Sequence, residues 1–140
     1  NIQVDNKHPT SEIFISRLYQ FWLPDETILY IGKAGTSLRK RIGQYYSTPL
    51  GNRSPHAGGH WLKTLSILNE LHIYWSKTSP QNDPEKVETN LLQTFVDNVS
   101  HTTLASLFDS KHPYPFANRT MNGRGRKQHY ITNDKNKRSR

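Results

Sequence analysis

An α+β domain with a small three-stranded antiparallel sheet flanked by helices, in the order β-β-α-α-β-α, is the fold class that this sequence predicts. Three observations predict it: two runs of β-forming residues around a turn, a helical stripe directly after them, and a further capped helix start beyond a third short apolar run. Residues 13–22 (IFISRLYQFW) and 27–32 (TILYIG) are rich in β-branched and aromatic side chains, and LPDE between them carries turn chemistry. A hairpin with its tip at Pro24-Asp25 would set Trp22 opposite Thr27 and Tyr19 opposite Tyr30, two phenols on one face. Leu38, Ile42, Tyr45 and Tyr46 follow at helical spacing, with Thr36 or Ser37 as N-cap. Residues 47–59 read as a Pro/Gly/Ser-rich loop, residues 60–69 as a second helix and residues 71–76 (LHIYWS) as the third strand. The last helix starts with Asp83 as N-cap, Pro84 in the first position and Glu85 in the first turn, and runs to about Val99.

At 140 residues the chain is the size of one domain. Its mean hydropathy is low, at -0.83, yet 3 Trp, 7 Tyr and 5 Phe argue for a packed, aromatic-rich core rather than disorder. The absence of cysteine excludes disulfides, thiolate metal sites and thiol nucleophiles. No apolar run approaches the ~20 residues of a membrane span and no leader pattern is visible, so a soluble, cytoplasmic protein is expected. The first residue is Asn1 rather than Met, so a processed form or a piece of a longer chain is also open.

The net charge of +8 is unevenly spread. Residues 1–118 hold 11 Lys/Arg against 10 Asp/Glu, a net of +1, whereas residues 119–140 hold 8 against 1, a net of +7. This divides the chain into a domain at 1–118 and a basic arm at 119–140, suited to a polyanion or simply to solvation.

Two charged residues sit on apolar helix faces. Glu88 has Leu91, Leu92 and Phe95 at i+3, i+4 and i+7. A carboxylate turned to the core side needs a cation, and either a salt bridge or a hard metal such as Mg²⁺ would supply one. Arg41 borders the stripe of Leu38 and Tyr45, either packing its stem on the core or offering its planar fork to a phosphate, while Arg39 and Lys40 face solvent. Lys33 ends the second strand. In the segment RSPHAGGHWLK, Arg53, His56 and His60 are candidates to line a substrate groove. The Ala57-Gly58-Gly59 break makes joint zinc binding by the two histidines unfavourable, and the glycines would let backbone approach nucleic acid closely. Trp61 reads as core.

Residues 17–46, RLYQFWLPDETILYIGKAGTSLRKRIGQYY, resemble the signature of GIY-YIG nucleases, a family that includes an excision-repair incision domain, phage homing endonucleases and some restriction enzymes. The matching positions are Tyr19, Tyr30-Ile31-Gly32, Lys33, Arg41 and Tyr45; VETNLLQTF resembles the helix with the metal-binding glutamate, at Glu88, and YPFAN places Asn118 at the family's asparagine. RLY stands where GIY is expected, and GTS precedes Leu38 one residue later than in the repair enzymes. The resemblance implies a catalytic set of Tyr19, Tyr30, Lys33, Arg41, Tyr45, Glu88 and Asn118, one Mg²⁺ or Mn²⁺ on Glu88, and DNA as the substrate. Arg39, Lys40, Arg53, His56, His60, Arg119, Arg124, Arg126 and Lys127 would then contact nucleic acid. It also implies a bacterial or phage setting, with repair, restriction and mobile-element roles all open, and a monomer or a homodimer. The alternative is a non-catalytic nucleic-acid-binding module that keeps the fold.

Overall fold

The structure, a computed structural model, describes residues 2–50, 52, 54–56 and 58–133. Among these the chain is mixed helix and strand. Its elements run β1 (Ile2–Val4), α1 (Ser11–Tyr19), α2 (Leu38–Ser47), α3 (Gly59–Leu62), a 3-10 turn at Leu68–Glu70, α4 (Pro84–Asn98), α5 (His101–Ser106) and β2 (Ile131–Asn133). The sheet is a two-stranded antiparallel pair that joins the two ends of the described chain, with Gln3 opposite Thr132 and Val4 opposite Ile131.

Residues 13–22 do not form the first strand of a hairpin. Most of them lie in α1, whose N-cap Thr10 accepts from the Ile13 amide at 3.3 Å, with Glu12 in the first turn and Arg17 in the last, where each suits the helix dipole. Phe14 and Leu18, four apart, turn that helix to the core, while Ile13, Ile15 and Tyr19 stay exposed. β-Propensity is a weak preference, and capping plus one buried helical face override it here. Residues 27–33 and 71–76 carry no regular secondary structure and belong to no sheet, so among the described residues one pair of strands elsewhere stands in place of the three-stranded sheet. The helix expected over residues 60–69 is shorter, ending at Leu62. The starts of α2 and α4 fall where the caps predict: Ser37 Oγ accepts from the Lys40 amide and Asp83 from the Glu85 amide.

The larger core gathers Val4, Leu18, Phe21, Trp61, Phe116, Ala117 and Ile131, with Leu29 and Tyr30 packed against it. Trp61 is fully buried, as expected of a core residue, and meets Phe21 edge-on at 5.6 Å. A second cluster of Leu23, Phe95 and Val99 receives Ile31 and seats α4. Residues 27–33 thus run between two cores, which fixes the position of Tyr30.

Among the described residues, the longest continuously buried stretch is 113–119. Main-chain bonds tie it to segments without regular secondary structure: the Ala117 amide donates to Leu29 O at 2.8 Å, and the Lys127 amide donates to Arg119 O at 2.9 Å. The described part of the expected basic arm, residues 119–133, therefore packs against the rest of the chain. Lys127 is buried, with Nζ donating to the carbonyls of Pro115 and Phe116 at 2.8 and 3.0 Å. Arg119 donates to His129 at 2.6 Å, Asp109 accepts from the Gln128 amide at 2.8 Å, and Ile131 belongs to the main core. High charge in this segment concealed one apolar or buried residue in every second position from Lys127 to Ile131. Residues 134–140 lie outside the described residues.

Candidate active site

One cleft of about 280 Å³ lies where α2, α4, residues 27–33 and the buried stretch ending at Arg119 meet. It is lined by Tyr30, Lys33, Arg41, His56, Glu85, Glu88, Asn118 and Arg119, with Thr120, Asn122 and Gly123 along one side. Residues more than 80 positions apart in sequence converge there.

The segment 27–33 contributes Tyr30 and Lys33. Gly32 between them leaves the Tyr30 ring room to lie against the main chain, where a Cβ would meet it. Asn118 holds the segment in place: its Oδ1 accepts from the Ile31 amide at 2.9 Å and its Nδ2 donates to Ile31 O at 2.8 Å. That two-point clamp does what a neighbouring strand would do, and it commits both ends of the carboxamide. Asn118, placed in the catalytic set by the family resemblance, is thus a positioning residue in this geometry.

From α2 come Arg41 and Tyr45. Arg41 donates to Gln44 at 3.3 Å, and its buried Nε has no protein partner among the described residues. Tyr45 stacks on His56 with ring centroids 4.0 Å apart and meets Tyr30 edge-on at 4.8 Å. Burial drives the pKa of both phenols up; for Tyr30, Tyr45 and the Arg41 charge act in the opposite direction. The C-terminal end of α2 is closed by Thr48, fully buried, which donates to Gln44 O at 2.6 Å and accepts from the His56 amide at 2.8 Å. Lys63 caps the same end by donating to the carbonyls of Tyr46 and Thr48.

α4 supplies two carboxylates one turn apart. Glu85 pairs with Lys33 at 2.7 Å. Glu88 is half-buried and forms no ion pair within 4 Å among the described residues. Burial raises its pKa, opposed by the charges of Lys33 and Arg41 and by the Lys33 amide, while Glu85 adds to the rise. Leu92 and Phe95 bury the adjoining face, and Leu91 is exposed, so Glu88 stands at the edge of the apolar stripe rather than inside it. Glu85 was missed as a site residue; its i, i+3 spacing from Glu88 was the available signal.

Several sequence-predicted residues fall elsewhere. Tyr19, at the C-terminal end of α1, is 73% exposed and does not line the cleft, because the hairpin that would have paired it with Tyr30 is absent. His60 is buried beside Trp61. Gly58 and Gly59 serve a protein contact: Cβ atoms there would stand 2.7 Å from Ala117 O and 3.0 Å from Tyr45 O. Arg39, Lys40, Arg124 and Arg126 are exposed, whereas Arg119 and Lys127 are buried, which removes Lys127 from any surface that meets nucleic acid. Arg53 lies outside the described residues.

No group of three or more His, Cys, Asp or Glu side chains capable of enclosing a metal is found among the described residues. Glu88, half-buried, and Glu85 one turn before it are the cleft residues that could hold a hard divalent ion, since Mg²⁺ keeps most of its water and takes one or two carboxylates. No helix among the described residues is long and apolar enough to cross a membrane, and a chain without cysteine forms no disulfide. No protein-family model, curated protein or solved structure matches the chain.

Proposed function

We propose that this protein is a divalent-metal-dependent endonuclease of the GIY-YIG type that hydrolyses phosphodiester bonds in DNA. The observation that carries the reading is the meeting, in one cleft, of Glu88 from α4, Arg41 from α2 and Tyr30 from the segment 27–33. The Arg41 guanidinium keeps a buried Nε donor without a hydrogen-bond partner among the described residues, which suits a planar phosphate acceptor. Glu88, with Glu85 beside it, would hold one Mg²⁺ or Mn²⁺, whose chemistry is Lewis-acid stabilisation of charge on the phosphate. Tyr30 lines the same cleft and would hold or take a proton from the attacking water. Burial keeps it protonated unless positive charge stabilises the phenolate, and Arg41 already acts in that direction. Exposed Arg39, Lys40, Arg124 and Arg126 would meet the DNA backbone.

Supercoiled plasmid incubated with the protein and Mg²⁺ or Mn²⁺ tests the proposal. Nicked or linear product is expected, lost on adding EDTA and in Glu88→Ala. Cleavage that survives Glu88→Ala would reject this site. A non-catalytic nucleic-acid-binding module is the second reading, favoured by the engagement of Asn118 with backbone and by the absence of Tyr19 from the cleft; retarded but intact DNA would support it.

A further inference from the structure

The hydrogen-bonding geometry around His56 assigns it a task that the cleft's charged residues do not perform. Its Nδ1 lies 3.1 Å from the Gly58 amide nitrogen, which can only donate. Nδ1 must therefore be an acceptor, and in a neutral imidazole the proton then sits on Nε2. That nitrogen lies 3.3 Å from Tyr30 Oη. We propose that His56 is a positioning residue for Tyr30: locked as the Nε2–H tautomer by Gly58, it donates to the phenol oxygen, so that the phenol's own proton is directed away from His56.

The opposite polarity, with Tyr30 donating to His56, would make the imidazole the proton acceptor of a Tyr–His pair. The Gly58 amide excludes it, because it would leave two donors, or a donor and a protonated nitrogen, facing each other. Formation of an imidazolium is also disfavoured. Burial and then the charge of Arg41 hold His56 down at about 4. The ring cannot turn freely to exchange its nitrogens: Tyr45 stacks on one face, Tyr30 abuts it edge-on at 5.6 Å, and Thr48 holds the His56 amide. A phenolate formed at Tyr30 would then keep a fixed neutral donor at its oxygen, beside the charge of Arg41.

The test combines a readout independent of cleavage with one that depends on it. Long-range ¹H–¹⁵N spectra of the full chain at pH 7, with His56 assigned by its loss in His56→Phe, should show a neutral ring protonated on Nε2. A ring protonated on Nδ1, or an imidazolium at that pH, overturns the proposal. The ¹³Cζ resonance of Tyr30 should move in His56→Phe and return towards its original position in His56→Gln, whose amide restores a donor; an unmoved resonance in His56→Phe also overturns it. The kinetic arm rests on the nuclease reading. His56→Phe should lower kcat roughly 10- to 100-fold, the scale of one hydrogen bond to a developing charge, with KM unchanged and partial rescue by His56→Gln. In a Tyr30→Phe background the further loss should vanish, and a full additive loss there rejects the pairing. A protein without nuclease activity would fail the proposed function, while the spectra would still decide the state of His56.

Discussion

Removal of the Asn118 side chain separates a clamp from a catalytic group. Asn118 is 5% exposed, and its carboxamide is the hydrogen-bond partner of both the N–H and the C=O of Ile31. Asn118→Ala deletes both bonds and leaves two polar groups facing a small void. Each buried group left unsatisfied costs about 1–3 kcal/mol; because Ile31 is half-buried and water can reach part of it, a total loss of about 2–4 kcal/mol is expected. That is a large share of the roughly 5–15 kcal/mol by which domains are stable. Urea denaturation followed by tryptophan fluorescence measures the loss, and hydrogen exchange at the Ile31 amide should lose protection beyond the global change. Asn118→Asp provides a sign test. A carboxylate keeps the acceptor for the Ile31 amide but opposes the Ile31 carbonyl, and only its protonated form can donate there. Its pKa should therefore be raised in the folded state, and its deficit relative to wild type should shrink as the pH falls through that value. A change below about 0.5 kcal/mol in Asn118→Ala, the scale of an ordinary surface substitution, would refute the clamp. So would cleavage abolished at unchanged stability, which would return Asn118 to the catalytic set.

The two tyrosines should behave unequally: Tyr30→Phe is expected to lower the cleavage rate by about 10²–10⁴-fold, the usual worth of a general base, and Tyr19→Phe to leave it unchanged. Equal losses would remove the distinction drawn from the exposure of Tyr19. Glu88→Gln should abolish cleavage and raise the melting temperature at neutral pH. The folded-state pKa of Glu88 is raised above its ordinary 4.5, so its ionisation opposes folding above that range, and the gain should disappear when scans are run below pH 4. Lys127, buried and held down at about 7 from an ordinary 10.5, is neutral in the folded chain and charged in the unfolded one between those values. Stability should therefore rise from pH 7 towards pH 10, and Lys127→Met should lack that component of the rise in denaturation curves; an unaltered slope would count against the burial of this amine.

The helices that matter for the cleft were legible wherever local chemistry is self-sufficient. Ser37 before Leu38, and Asp83-Pro84-Glu85, cap their helices using groups within three residues, so α2 and α4 start where those patterns predict. Once α4 is placed, the spacing from Glu88 to Leu92 and Phe95 puts an acid beside a buried face. What the run at residues 13–22 would become was not legible, since the same apolar residues serve a strand or a one-sided helix until a partner surface chooses. That choice carried Tyr19 out of the cleft. Burial of Lys127 and Arg119 was likewise hidden, because charge density alone does not reveal which cation finds carbonyls or a histidine to receive it.

By itself, the sequence determined the single-domain scale, the exclusion of thiol chemistry and disulfides, the cap-defined helix starts, and the local faces on which Arg41, Tyr45 and Glu88 lie. Only the tertiary structure decided which of the candidate residues share a cleft, that Asn118 holds Ile31, that Gly58 sets the tautomer of His56, and that residues 119–133 pack against the rest of the chain. The physical reason is one of range. Caps and helix faces depend on groups three or four residues apart, whereas the clamp on Ile31 spans 87 positions and exists only once separate hydrophobic surfaces have been buried together.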